Sequence, residues 1–249
     1  MEQSGMSCYI DIHCHILPGI DDGAHSLEES IAMAKKAVED GVRAVIATPH
    51  QKPDRRCEGS ESVQKRTEQL QKVLDGLQVP LKLYPGGEVL YSHDMVRFLD
   101  EKKAGVLANS RYVLTEFLPD QDWGYIYNGL YDLLGAGYRP VIAHMERYAN
   151  VVCDLNRVEQ LRESGCLVQI NGGSLTGFGG SLIKRTARKL IREELADLVA
   201  TDAHHANGSR KYAMGECAEW LKRKCRQEYA EKLLYRNAEQ ILRDEEIIR

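Results

Sequence analysis

No stretch of this 249-residue chain approaches the ~18 consecutive apolar residues that a membrane span requires, so insertion into a bilayer is not expected. Met1 to Ser7 is polar, unlike the start of a secretory signal. Cys-x-x-Cys spacing is absent, and the seven cysteines are odd in number and scattered. That argues against a disulfide framework and for reduced thiols in a cytoplasm. A net charge of −4 gives no reason to expect nucleic-acid binding. There is no low-complexity segment and no short repeat. With ordinary apolar (43%) and charged (28%) content, the expectation is one cytoplasmic globular domain over residues 1–249.

What the chain does have is a regular alternation of short apolar runs and amphipathic stretches. Strands are expected at Cys8–His15, Val42–Thr48, Leu81–Tyr84, Tyr112–Thr115, Arg139–Ala143, Cys166–Ile170 and Leu198–Thr201. Between them, Ser26 and Glu29 have capping-box spacing before a helix that Gly41 closes. Further helices are expected at Glu61–Leu77, Asp94–Lys103, Gly124–Leu134, Leu155–Glu163 and Leu182–Glu193. Gln51 to Ser60 reads as a loop, and Ala213 to Arg249 as charged helix with Asn237 capping its last turn. Such βα units predict a parallel α/β barrel of seven strands, with active residues at the C-terminal strand ends.

Six of those strands end in metal-ligand residue types: His13 and His15, His50, Glu88, Glu116, His144, and Asp202 with His204. Residues two apart on a strand share a side, so His13 and His15 can aim two imidazoles at one point. Asp22, with neighbouring Asp21 as the alternative, brings the series to five histidines and four carboxylates. Carboxylates crowded in this way would take up protons unless cations were present. Three divalent cations would leave a positive site, and a mixed His and carboxylate shell suits Mn, Fe or Zn. Such a centre fits a phosphate ester: the cations activate water and stabilise the equatorial and leaving oxygens. Arg147 and Arg210 lie close in sequence to His144 and His204 and offer paired hydrogen bonds to a phosphate.

The segments His13-Cys14-His15-Ile16-Leu17-Pro18, Asp21-Asp22-Gly23, Ala47-Thr48-Pro49-His50, Pro85-Gly86-Gly87-Glu88, Glu116-Phe117, Ala143-His144-Met145-Glu146-Arg147 and Thr201-Asp202-Ala203-His204 resemble motifs of the PHP (polymerase and histidinol phosphatase) superfamily. Within it, the chain most resembles the bacterial manganese-dependent protein-tyrosine phosphatases of capsule and exopolysaccharide operons. The resemblance implies a distorted seven-stranded (β/α) barrel of PHP type with a trinuclear site. It implies one metal on His13, His15, Glu88 and Asp202, and a second sharing Glu88 with Glu116 and His144. A third would take Asp22, His50 and His204, with Arg147 and Arg210 as phosphate binders. The implied substrate is phosphotyrosine on an autophosphorylating bacterial tyrosine kinase with a C-terminal tyrosine cluster. Met145, Tyr148 and His205 depart from the commoner family residues and leave the ligands intact.

The rival reactions are those of a histidinol-phosphate-type phosphoesterase of the same superfamily and of a metal hydrolase of C–N bonds, which usually needs a bridging lysine where Glu116 stands. A kinase-binding scaffold with a dead site would not need the full ligand set. Cys217 and Arg223 have the spacing of thiol phosphatases, but the intervening residues include no glycine and read as helix. Gly172-Gly173 either turns the chain or brings backbone N–H groups to the phosphate. Trp123, Tyr125 and Tyr127 read as helix-face packing, with a substrate groove as the alternative.

Overall fold

The computed structural model of the chain describes residues 8–52 and 58–248; residues 53–57 of the predicted loop, and both chain ends, lie outside the described residues. Among the described residues nine strand segments appear: β1 (Tyr9–Cys14), β2 (Val42–Ala47), β3 (His50–Gln51), β4 (Lys82–Pro85), β5 (Glu88–Leu90), β6 (Tyr112–Glu116), β7 (Arg139–Ile142), β8 (Leu167–Asn171) and β9 (Leu198–Ala200). The count exceeds seven because the predicted strands Val42–Thr48 and Leu81–Tyr84 are each followed, past the expected turn, by a further short strand. Thr48-Pro49 separates β2 from β3, and proline cannot donate to a ladder. Gly86-Gly87 separates β4 from β5, where a Cβ on Gly86 would lie 2.7 Å from Ile46 Cγ2. Glycine therefore lets the two breaks pass side by side.

The segments form a curled sheet in two hydrogen-bonded pieces, β1-β2-β4 and β3-β5-β6-β7-β8-β9, and every pairing is parallel. Beyond β9 the chain returns to β1: Asp202 N–H donates to His13 O (2.8 Å) and His15 N–H to Ala203 O (2.9 Å). Alternation along the strands sorts side chains into two cores. Ile10, Ile12, Ala44, Ile46, Leu114, Val141, Leu167 and Leu198 face inward, while Val45, Val113, Ile142, Val168 and Val199 face the helices. The inward columns begin apolar and end polar: Tyr112-Leu114-Glu116, Leu167-Gln169-Asn171 and Leu198-Ala200-Asp202. One periodicity therefore both fills the interior and delivers polar groups to its C-terminal mouth.

The helix Leu27–Glu39 starts at Ser26, whose hydroxyl accepts from Glu29 N, as the capping spacing predicts. Helices at Ser60–Gly76, Trp123–Gly135, Leu155–Glu163 and Gly180–Arg192 lie within a few residues of expectation. The C-terminal region departs from it. Helix Met214–Lys224 ends at Cys225, which is extended, and shorter pieces follow to Leu242. Asn237 caps nothing; it is buried, and its amide donates to Asp197 O at 2.7 Å, tying this region to the strand ends. Among the described residues no helix is long and apolar enough to cross a membrane.

Candidate metal centre

At the mouth of the curled sheet the strand ends bring nine predicted ligand residues together in three overlapping groups. The tightest is a cage of His13 Nε2, His15 Nε2, Glu88 Oε2 and Asp202 Oδ1. The His13 nitrogen is 3.4 Å from each of the other three, and His15 is 3.3 Å from Glu88 and 3.5 Å from Asp202. All four residues are buried. Donors spaced in this way suit a single ion at bond lengths of about 2.1 Å in a near-tetrahedral shell.

A second group adjoins the first through Glu88. Its Oε1 lies 2.9 Å from His144 Nε2 and its Oε2 lies 2.8 Å from His50 Nδ1. Glu116 approaches the same two imidazoles at 3.6 and 3.8 Å. A third group centres on Asp22 Oδ1, 3.4 Å from both His50 Nε2 and His204 Nε2, with the His15 ring stacked on His204 at 3.8 Å. Asp22, rather than Asp21, supplies the carboxylate in that group.

The electrostatics of the donors follow from this crowding. Burial pushes the His144 imidazole down, but hydrogen bonds to Glu116 and Glu88 outweigh it and raise it to about 9. His15 and His50 are raised in the same sense by their carboxylate neighbours. Burial opposes ionisation of Glu88 and Asp202, yet the surrounding imidazoles, His13 foremost, hold both carboxyls well below the usual range. His204, buried and beside His15, falls to about 3 and stays neutral. Glu88 Oε2, His50 Nδ1 and His204 Nε2 are buried yet make no well-aligned hydrogen bond. Buried polar atoms left in this state are costly, and divalent cations coordinated by these donors would satisfy them. The donor set therefore fits metal binding.

A second tier of residues orients these ligands, and most of it escaped the sequence reading. Asp21 Oδ2 is 2.7 Å from His15 Nδ1 and accepts from His50 N–H at 2.9 Å. Gln169 Oε1 lies 3.1 Å from His13 Nδ1 and accepts from His144 N–H. Asn171 donates to Asp202 Oδ2 at 2.7 Å. Asp11 accepts from Thr201 and Tyr212 and so fastens the first strand to the segment after β9. Period-two spacing from Leu167 was the signal that could have found Gln169 and Asn171. The backbone adds a feature that residue type did not announce. His144, Asp202 and Arg210 have φ of 36°, 51° and 58°, sparsely populated for non-glycine residues and typical of functional sites.

Both predicted arginines reach Asp202. Arg147 Nη2 is 2.9 Å from its Oδ2, and Arg210 spans Asp202 Oδ1 (3.4 Å) and Asp22 Oδ2 (3.0 Å). They line a pocket of about 210 Å³ with Asp202, Ser174, Phe178 and Ile183. Gly173 lines it as well, at the start of the short helix Gly172–Thr176. Cys217 sits buried in a helix with burial pushing its thiol up, so no thiolate is available there. Trp123 and Tyr127 pack on each other, and Tyr125 packs against Tyr91 and Phe117.

The curled parallel sheet with donors grouped at its mouth defines a fold class that has neighbours among the amidohydrolases. An amidohydrolase from Mycoplasma synoviae superposes with a TM-score of 0.63 at 13% identity, covering 95% of this chain and 88% of the other, a likeness of fold alone. A family profile described as "Capsular polysaccharide synthesis, CpsB/CapC" matches residues 9–243, and the chain belongs to this CpsB/CapC family. It is 36% identical to the tyrosine-protein phosphatase YwqE of Bacillus subtilis, covering 96% of this chain and 94% of the relative. It is 30% identical to the tyrosine-protein phosphatase CpsB of Streptococcus pneumoniae, covering 95% and 99%. A chain from the crystal structures of YwqE and CpsB, termed unique metal-dependent tyrosine phosphatases, superposes with a TM-score of 0.90 at 36% identity over 96% of both chains.

Proposed function

We propose that this protein is a metal-dependent tyrosine-protein phosphatase that hydrolyses phosphotyrosine on a bacterial tyrosine kinase and so regulates capsular or exopolysaccharide synthesis in the cytoplasm. The observation that carries the reading is the buried four-donor cage with its poorly bonded neighbours, in a chain whose relatives are named tyrosine phosphatases over nearly their whole length. The fold would be a distorted seven-stranded barrel in one domain, closed where β1 meets the segment after β9, as the hydrogen bonds at Asp202 and His15 support.

His13, His15, Glu88 and Asp202 would hold one ion, Glu88, Glu116 and His144 a second, and Asp22, His50 and His204 a third. Manganese is the first choice for a mixed imidazole and carboxylate shell, with iron and zinc as rivals. Bound there, such ions supply Lewis acidity and a water acidic enough to serve as nucleophile near neutral pH. Arg147 and Arg210 bind the phosphate oxygens and stabilise charge that develops on them. Asp21 and Gln169 keep the imidazoles of His15 and His13 in the orientation that presents Nε2 to the cage. The phenolate leaves readily because its conjugate acid has a pKa of about 10. No protein nucleophile is required, in keeping with the buried, protonated Cys217.

The test is phosphate release from a phosphotyrosyl peptide by metal-stripped protein after adding back Mn, Fe or Zn, with histidinol phosphate and His13→Ala in parallel. Metal-dependent turnover of the peptide, lost in the variant, is expected. Preference for histidinol phosphate would reassign the substrate, and no turnover of either by metal-loaded protein would refute the reading.

A further inference from the structure

The helix Gly180–Arg192 has a charge pattern that the metal centre does not use. Its sequence holds five basic residues, Lys184, Arg185, Arg188, Lys189 and Arg192, and no acidic one, in a chain whose net charge is −4. Arg185, Lys189 and Arg192 are exposed and Lys184 partly so. Among the described residues, none of these four makes an ion pair. Cations on a solvated helix are ordinarily interspersed with acids that they partner, so five cations with no acid between them make a basic face, bounded at its C-terminal end by Glu193 and Glu194. Arg188 is engaged differently: it donates to Leu175 O at 3.0 Å and stacks on Trp220.

The helix that carries these cations starts at the pocket wall. Ile183, in the first turn of the helix, lines the pocket with Phe178, Arg147 and Arg210. A Cβ on Gly177 would meet Lys184 Nζ at 3.5 Å, which places that ammonium over the loop bearing Phe178. Beside the pocket, Phe178 and Leu182 are large apolar side chains left 37% and 63% exposed. At its other end the helix borders a groove of about 450 Å³ lined by Arg188, Arg192, Trp220, Lys224, Arg226 and Glu194, where Glu194 pairs with Arg226 at 2.8 Å. From Ile183 to Arg192 the helix rises about 14 Å, the span of roughly four residues of extended peptide.

We propose that the helix Gly180–Arg192 is a docking track for the acidic residues that flank a phosphotyrosine held in the adjoining pocket. The inference rests on the phosphatase reading and adds its substrate preference. Acidic side chains within about four positions of the reacting residue meet Lys184, Arg185, Lys189 and Arg192 in turn. Phe178 and Leu182 cover the apolar part of the peptide nearest the pocket. The attraction between exposed charges is screened by salt, so the preference weakens as ionic strength rises.

The experiment compares kcat/KM of the metal-loaded protein on free phosphotyrosine and on two phosphotyrosyl peptides. One peptide carries Asp and Glu at four positions on either side, and the other carries Asn and Gln there. Wild type is expected to prefer the acidic peptide about tenfold at low salt, and less at 0.5 M salt. The triple variant Arg185→Gln, Lys189→Gln, Arg192→Gln, with all changes at exposed positions, is expected to turn over both peptides with a ratio near one. Equal use of the two peptides by wild type, or a preference that survives in the variant, overturns the inference and leaves the phosphatase intact. Equal peptide use combined with binding to anionic phosphatidylglycerol vesicles that the variant loses would reassign the track to a membrane surface. Failure of the metal-loaded protein to hydrolyse free phosphotyrosine and both peptides overturns both readings together.

Discussion

Metal affinity should rise steeply with pH between 7 and 9, and the reason lies in the protons that the candidate ligands hold when metal is stripped away. His144 is raised to about 9 by Glu116 and Glu88, so at pH 7 its imidazole is a cation. A ligand imidazole must be neutral, and an incoming metal ion has to expel that proton. Two pH units below a pKa of about 9, deprotonation costs about 2.7 kcal/mol, a factor of about a hundred in affinity. Affinity for the ion on Glu88, Glu116 and His144 is therefore expected to climb about tenfold per pH unit and to level off above pH 9. His15 and His50, also raised, steepen the rise. His204, held near 3, and the already ionised Glu88 and Asp202 add nothing. Calorimetric titration of metal-stripped protein with Mn at pH 6.5, 7.5 and 8.5, in two buffers of different ionisation enthalpy, measures both affinity and released protons. Stability of the metal-free protein should move the opposite way. Its raised histidines contribute fully below the unfolded value of about 6.5, and that contribution is lost as pH climbs through about 9. Affinity unchanged from pH 6.5 to 8.5, with no proton released, would refute the reasoning.

Three substitutions probe the residues around the ligands. Arg147→Lys keeps a charge but loses the planar fork, so kcat/KM should fall roughly ten- to a hundredfold while metal content by mass spectrometry stays unchanged; equal kinetics would remove Arg147 from the phosphate. Asp21→Ala removes the partner 2.7 Å from His15 Nδ1. It should weaken metal affinity by about ten- to a hundredfold, as outer partners of ligating histidines commonly do, and calorimetry checks it. Tyr212→Phe withdraws the hydroxyl that donates to the fully buried Asp11 carboxylate at 2.8 Å. A loss of about 1–3 kcal/mol in urea unfolding is expected, with metal stoichiometry preserved; full stability would show that water or Thr201 replaces the bond.

What could be read from the chain alone was whatever periodicity enforces. Tyr112, Leu114 and Glu116 share a face because successive strand residues alternate, and the same rule carries Leu198 through Ala200 to Asp202. Strand-end residue types therefore announced where the candidate ligands converge. The turns at Pro49 and at Pro85-Gly86-Gly87 were legible, but the short paired strands that follow them were not, because each depends on the other. Gly86 has to be a glycine only since Ile46 on the neighbouring strand presses against it, and register is a property of pairs. Left-handed backbone at His144 and Asp202 was invisible for a related reason: neither residue type asks for it, and the surrounding contacts impose it. The end of the sixth predicted strand looked empty because Gln169 and Asn171 are not metal-ligand types in this setting. Their task is to hold His13, the His144 backbone and Asp202 in place.

Asp202 shows why the arginines stand where they do. One of its oxygens belongs to the four-donor cage, 3.4 Å from His13 and 3.5 Å from His15. The other accepts from Arg147 and from Asn171. A carboxylate so divided can face a cation on one side while holding a guanidinium on the other, at the wall of the pocket. Arg147 thus has a defined position before any phosphate arrives, and little ordering is left to be done on binding. Arg210 gains the same advantage by spanning Asp22 and Asp202, two acids from different proposed metal groups. Moving either arginine therefore requires a change at a ligand carboxylate, and loss of a cation would disturb the phosphate pocket as well as the cage. The positive charge proposed to bind substrate and the positive charge that would activate water are tied together through one buried side chain.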